Sequence, residues 1–167
     1  RYAAELKDTR TRLLDTRKTT PGMRHAEKYA VLCGGGQNHR LDLEEMLMLK
    51  DNHIDQAGSI TEAVRRVRAA YAVCPPLEIE CRTVEDVREA VALNPERVML
   101  DNMPPETAAR ALALIPPHIE SEISGNVTLS TIRTLAELRP TFISTGAITH
   151  SAAVADFSMR LTATSRE

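Results

Sequence analysis

Short apolar runs alternate along this chain with longer segments in which apolar residues recur every three to four positions. Residues 77–81, Leu-Glu-Ile-Glu-Cys, alternate in character and predict a strand. Residues 83–93 place Val84, Val87, Ala90 and Val91 on one side and predict an amphipathic helix. The pair then recurs. Strands are predicted over 97–102, 118–124 and 141–146, and helices over 104–115 and 128–138. Phe142 follows Leu77 by 65 residues, three units of about 22, which is the length of a strand–helix unit with short loops.

The first half follows the same rhythm with longer connections. Residues 13–17 predict a strand, and 25–33 a helix stopped by Gly34-Gly35-Gly36. The run Met46-Leu-Met-Leu-Lys50 predicts a strand buried on both faces. A helix is expected over 59–71, where Ser59 and Glu62 have the spacing of a capping box. Residues 157–161 predict a last strand.

Regular alternation of strand and helix means an α/β fold with a mainly parallel sheet. Polar residues gather at the C-terminal end of nearly every predicted strand. This favours an incomplete βα barrel of about six to seven mainly parallel strands, with its active site at those ends. An open doubly wound sheet is the rival arrangement.

Composition narrows the function classes. The 167 residues carry a net charge of −2, and aromatics make up 3%. A surface built to coat nucleic acid is therefore not expected, nor is a stacking platform for single strands. No apolar run is long enough to span a membrane. Three cysteines (Cys33, Cys74, Cys81) without CxxC spacing point to a reducing, cytoplasmic setting and to packing rather than catalysis. The chain begins at Arg1 with what reads as mid-helix sequence, so residues 1–167 are expected to be one barrel domain cut from a longer protein.

Five local patterns carry chemistry. Asp15-Thr16-Arg17-Lys18 follows an apolar strand and precedes a Pro-Gly turn. Arg offers a planar fork and Lys a point charge, and both suit carboxylates or phosphates. Gly34-Gly-Gly-Gln-Asn-His39-Arg40 places two more cationic residues beside a glycine run. That run serves either as an anion loop or as a helix terminator. Lys50-Asp-Asn-His53 closes an apolar strand, with His53 read as a structural loop histidine. Glu80 and Asp101 end successive strands. They suit sugar hydroxyls, a substrate-borne Mg²⁺, or an acid/base pair, and cationic surroundings favour the binding roles. Glu78 points to the same side as Glu80, and one of the two is read as structural. Finally, Ser124-Gly125-Asn126 and Thr145-Gly146-Ala147 sit where small residues expose N–H groups to a phosphate.

Taken in order, these segments resemble the catalytic domain of the quinolinate phosphoribosyltransferase family. The markers are Asp-Thr-Arg-Lys-Thr-Thr-Pro-Gly (15–22), Glu-Lys-Tyr-Ala-Val-x-Cys-Gly-Gly-Gly-x-Asn-His-Arg (27–40), Leu-Lys-Asp-Asn-His-Ile (49–54), Met-Leu-Asp-Asn (99–102), Ser-Gly-Asn (124–126), Ile-Ser-x-Gly-Ala-Ile-Thr-His-Ser (143–151) and Asp-Phe-Ser-Met-Arg-Leu (156–161). Ile123 and Thr145 depart from the residues usual in the family.

The resemblance implies a pentosyltransferase of NAD biosynthesis. It would move phosphoribose from phosphoribosyl pyrophosphate to quinolinate with decarboxylation, and it would use Mg²⁺. It implies that Thr16, Arg17, Lys18, His39, Arg40 and Lys50 line the quinolinate pocket, with Lys18 and Lys50 also facing pyrophosphate. Glu80 and Asp101 would meet the ribose and, through substrate, the metal. Ser124, Gly125, Asn126, Thr145, Gly146 and Ala147 would hold phosphate. It further implies an N-terminal α/β sandwich domain outside these residues. In the implied homodimer or larger homo-oligomer, that domain caps the partner's site and lends it an Arg.

Overall fold

The structure is a computed structural model that describes residues 1–162. Six strands form one parallel sheet: β1 (Arg12–Leu14), β2 (Leu47–Leu49), β3 (Leu77–Cys81), β4 (Arg97–Asp101), β5 (Glu120–Ser124) and β6 (Phe142–Ser144). Their spatial order is β1-β6-β5-β4-β3-β2. Chain order is thus preserved around a ring, with β1 brought next to β6. The arrangement is a βα barrel left unclosed between β1 and β2. In that gap Gln37 bridges to Leu14 on β1, and Arg40 donates to the Met46 carbonyl at the mouth of β2 (2.6 Å).

Helices α1 (Tyr2–Glu5), α2 (Arg24–Cys33), α3 (Asp51–Ala57), α4 (Ile60–Ala70), α5 (Val84–Ala92), α6 (Pro105–Leu112) and α7 (Ile132–Glu137) accompany the strands. The apolar core lies between helices and sheet. Ile79, Cys81, Val98, Leu100, Ile123 and Ile143 turn outward from the strands and meet Val64, Val87, Ala90, Ala108 and Ile132. Burying each such Ile, Leu or Val stabilises by roughly 1.5–3 kcal/mol.

The alternate strand positions face the barrel interior, and they are largely polar. At the base, the guanidinium groups of Arg12 and Arg97 each stand 4.3 Å from the centre of the Phe142 ring. Arg97 also pairs with Glu120 (2.8 Å) and Glu122 (3.1 Å). Above them lie Glu78, Glu122 and Ser144, all buried. The rim carries Lys50, Glu80, Asp101 and Ser124.

The elements expected from sequence are present, apart from one strand and one overlooked helix; most are shorter than expected, while β3 has the expected bounds and α2 starts one residue earlier. Residues 157–161 form no strand. Phe157, Met159 and Leu161 are 90%, 83% and 87% exposed, because no strand edge lies beside them among the described residues. A strand needs a neighbour to satisfy its backbone groups, whatever its side-chain pattern. The overlooked helix is α3, whose sequence Asp-Asn-His-Ile-Asp-Gln-Ala has too few apolar residues to show a helical period. It ends at Gly58, where φ is +93°. His53 sits in its first turn, not in a loop, and accepts the Lys50 N–H at Nδ1 (3.0 Å).

Candidate active site

A cavity of about 480 Å³ opens at the C-terminal strand ends. Its wall includes Thr16, Arg17, Lys18, His39, Arg40, Lys50, Glu80, Asp101, Ser124, Gly125 and Asn126, together with Met48, Met99, Asn102, Glu122 and Ser144. Eleven of the fourteen residues singled out from sequence therefore converge. The other three stand just outside that wall. Thr145 is buried; it donates to the Val127 carbonyl (3.0 Å) and accepts the Ala147 N–H (3.2 Å), capping a 3₁₀ turn over Gly146–Ile148. Gly146 packs beneath His150 and beside Thr16, and Ala147 lines an adjoining hollow with Tyr2 and Val31.

One side of the cavity is cationic. Arg17 and Lys18 emerge past the end of β1, where Thr149 Oγ1 donates to the Lys18 carbonyl (2.7 Å) and Arg24 to the Arg17 carbonyl (3.2 Å). The Nε of Arg17 is buried and has no hydrogen-bond acceptor. Arg40 is half-buried, and burial together with the charge of Arg17 lowers its pKa. An anion in the cavity would relieve both strains.

The opposite side carries the acids. Lys50 Nζ pairs with Glu80 Oε2 at 2.9 Å. Asn102 donates to Asp101 Oδ2 (2.9 Å), and Asn126 donates to Asn102 Oδ1 (2.9 Å). Asn102 and Asn126 have φ of +53° and +50°, a backbone region that Asn tolerates better than most residues. Gly125 (φ +90°) passes so close to Asn102 that any Cβ would overlap its amide. Each acid spends one oxygen on these contacts and keeps a second. One or two carboxylates plus substrate oxygens suit a Mg²⁺ that retains part of its water shell.

His39 forms part of the floor. Its Nδ1 accepts the Arg40 N–H (2.8 Å), and its Nε2 lies 3.1 Å from Glu78 Oε2 and 3.5 Å from Glu122 Oε2. Burial works to lower the imidazole pKa, but the two carboxylates outweigh it and raise it from 6.5 to about 9. Burial, reinforced by the charge of Glu122, pushes Glu78 up to about 7. Glu122 moves the other way: His39, Ser144 and Arg97 overcome its desolvation and lower it. The donor atoms of His39, Glu78 and Glu122 lie within 4.8 Å of one another, a spacing a cation could bridge. With Nδ1 accepting, the ring's proton lies on Nε2 toward these carboxylates, and the Arg97 guanidinium already pairs with Glu122 there.

Sequence reasoning did not single out Glu122, Asn102 or Met99 for the site. The alternation of Glu120, Glu122 and Ser124 along β5 was the available signal. Gly34-Gly35-Gly36 end α2 and lie off the wall; Gly35 takes a φ of +85° in the turn, and a Cβ on Gly36 would come within 2.8 Å of Val31 Cγ1, so this run terminates the helix. Burial pushes the Cys81 thiol pKa up, consistent with packing rather than nucleophilic use.

The comparisons with known proteins agree with this geometry. A family model described as "Quinolinate phosphoribosyl transferase, C-terminal domain" matches residues 1–160. A probable nicotinate-nucleotide pyrophosphorylase [carboxylating] of Bacillus subtilis is 43% identical over 157 residues, covering 94% of this chain and 54% of that protein. Its counterpart in Synechocystis is 45% identical over 163 residues, covering 96% and 55%. The crystal structure of NadC from Streptococcus pyogenes superposes with a TM-score of 0.89 at 42% identity, covering 95% of this chain and 56% of that one. The chain spans about half the length of the curated relatives it matches. The chain belongs to the quinolinate phosphoribosyl transferase family, and the part of that family it matches is the C-terminal domain.

Proposed function

We propose that this chain is the catalytic barrel of an enzyme that transfers phosphoribose from phosphoribosyl pyrophosphate to quinolinate with loss of CO₂. The products are nicotinate mononucleotide, CO₂ and pyrophosphate. The observation that carries the reading is the cationic wall, where Arg17 presents a buried Nε without an acceptor beside Lys18 and Arg40, with Lys50 facing it from the Glu80 side of the same cavity. A pyridine dicarboxylate beside a pyrophosphate needs several such groups. The relatives' names support the same reading.

Arg17, Lys18 and Arg40 bind the dicarboxylate, with His39 at the floor of its pocket. Lys50 stands between that wall and Glu80, where it meets pyrophosphate as charge builds on the leaving oxygen. The ring nitrogen forms its bond to ribose C1 while the bond from C1 to pyrophosphate oxygen breaks. Glu80 and Asp101 hold the ribose hydroxyls and favour positive charge on the sugar. Ser124, Gly125 and Asn126 receive the 5′-phosphate, with the neighbouring turn at Thr145, Gly146 and Ala147 shaping that end. The C2–carboxylate bond then breaks, its electrons stay at C2 beside the quaternised nitrogen, and C2 takes a proton from water. The chain's task is positioning and charge stabilisation, and no covalent enzyme intermediate is required.

Mg²⁺ belongs to this reading, held by substrate oxygens with Glu80 and Asp101; when bound it offsets the charge of pyrophosphate. The reading also includes a homodimer or larger homo-oligomer in the cytoplasm. No helix among the described residues is long and apolar enough to cross a membrane.

The test incubates the complete natural protein with phosphoribosyl pyrophosphate, Mg²⁺ and either quinolinate or nicotinate, and separates the products by chromatography. Quinolinate-dependent nicotinate mononucleotide is expected, and a preference for nicotinate overturns the reading. Light scattering on the same sample checks the assembly.

A further inference from the structure

The two cationic arms of the cavity come from different connections of the chain. Arg17 and Lys18 follow β1, while His39 and Arg40 lie in the segment between α2 and β2. Sheet-like hydrogen bonding joins these segments only around Gln37, through Leu13 and Asp15. Their side chains are like charges that repel across the pocket.

Between the arms stands a buried ion pair with no part in the chemistry above. Lys28 on α2 and Asp15 beyond β1 expose 3% and 0% of their side chains. Lys28 Nζ donates to Asp15 Oδ1 (2.6 Å) and to the His39 carbonyl (2.8 Å). Asp15 Oδ1 also accepts the His39 N–H (2.7 Å). The Asn38 amide, with its nitrogen turned inward, donates to Asp15 Oδ2 (2.8 Å) and to the Lys28 carbonyl (3.0 Å). Both main-chain groups of His39 are therefore gripped by one ion pair. Asp15 lies two residues before Arg17, and His39 immediately precedes Arg40.

We infer that Asp15 and Lys28 are positioning residues for the dicarboxylate end of the site: their ion pair sets the spacing of the Arg17–Lys18 and His39–Arg40 arms against mutual repulsion. A buried pair is a costly way to gain stability alone, since apolar residues of like size do as well or better. Here it also fixes the direction of two binding arms, which apolar residues cannot do through hydrogen bonds. The inference rests on the proposed reaction for the identity of the ligand.

The experiment uses the complete natural protein and the variant Asp15→Asn/Lys28→Met, which removes both charges together and leaves no lone buried ion. Steady-state kinetics give KM for each substrate, and calorimetry gives Kd for phthalate, a dicarboxylate probe. The expected result is a rise of about tenfold in quinolinate KM and phthalate Kd, with phosphoribosyl pyrophosphate KM changed by less than about twofold. A purely structural pair would not split the two substrates. Lys28→Arg keeps the charge but replaces a compact ammonium with a wide fork. It is expected to show the same one-sided rise, and it decides the matter if the double variant does not fold. Equal changes for both substrates, or unchanged phthalate Kd, overturn the inference. If the natural protein binds phthalate but does not turn over quinolinate, the proposed reaction fails, and phthalate Kd still judges the positioning role. If it does not bind phthalate, both fall.

Discussion

Lys50 is the cation whose loss should be read most directly. Its side chain is 45% exposed and its pair with Glu80 is a rim contact, so removing it costs about 1 kcal/mol of stability at most. In the transition state it would face a departing pyrophosphate, where a lost charge contact costs far more. Lys50→Ala is expected to lower kcat/KM by about a hundredfold or more with the melting temperature nearly unchanged, as steady-state kinetics and calorimetry would show. Gly125 tests the phosphate end. Its φ of +90° strains any side chain, and a Cβ would displace Asn102 and with it the hydrogen bonds to Asp101 and Asn126. Gly125→Ala should raise KM for phosphoribosyl pyrophosphate at least about tenfold, and an unchanged KM would show that this turn does not meet substrate.

Helix starts show how local chemistry anchors the units. Thr83 Oγ1 accepts the Asp86 N–H (3.0 Å), and Asp86 Oδ2 accepts the Thr83 N–H (2.9 Å), a reciprocal cap directly after β3. Thr83→Ala is expected to cost about 1 kcal/mol, measured as a shift of the urea midpoint. The box expected at Ser59 and Glu62 is only half made. Ser59 Oγ accepts the Glu62 N–H (3.1 Å), but Glu62 turns to Arg65 and Arg66, both at 2.7 Å. Spacing identified a helix start there without revealing that two arginines one turn on would compete for the carboxylate.

Across the whole molecule the charged interior couples stability to pH. A proton on His39 favours the folded state, because the folded pKa of about 9 exceeds the ordinary 6.5. That stability is fully present below about pH 6.5 and is lost as pH rises through 9. Glu78, raised to about 7, adds a loss of the same sign as pH rises from its ordinary 4.5. Glu122, shifted down, acts oppositely, and its contribution is lost only in acid. The melting temperature is thus expected to fall as pH rises from about 4.5 to 9, and the fall should be shallower in Glu78→Gln. A flat profile in the natural protein would contradict the assigned network.

The order of strands and helices, and the outward apolar face of each strand, were legible because both follow from local period. Arg17, Lys18, Lys50, Glu80 and Asp101 were legible as neighbours around one cavity because each lies at or just past a strand end, and a barrel gathers those ends together. Period cannot show what stands across an interior. The pairing of His39 with Glu78 and Glu122 joins residues from three distant parts of the chain. Lys28 reads locally as one more polar position on a helix, yet its ammonium is buried against Asp15. The tail at 157–161 marks the opposite boundary, since its alternation is that of a strand and no edge stands beside it among the described residues. Local pattern sets what a segment is able to form. Whether it forms, and which charges it buries together, depends on neighbours that only the curved, open sheet brings within reach.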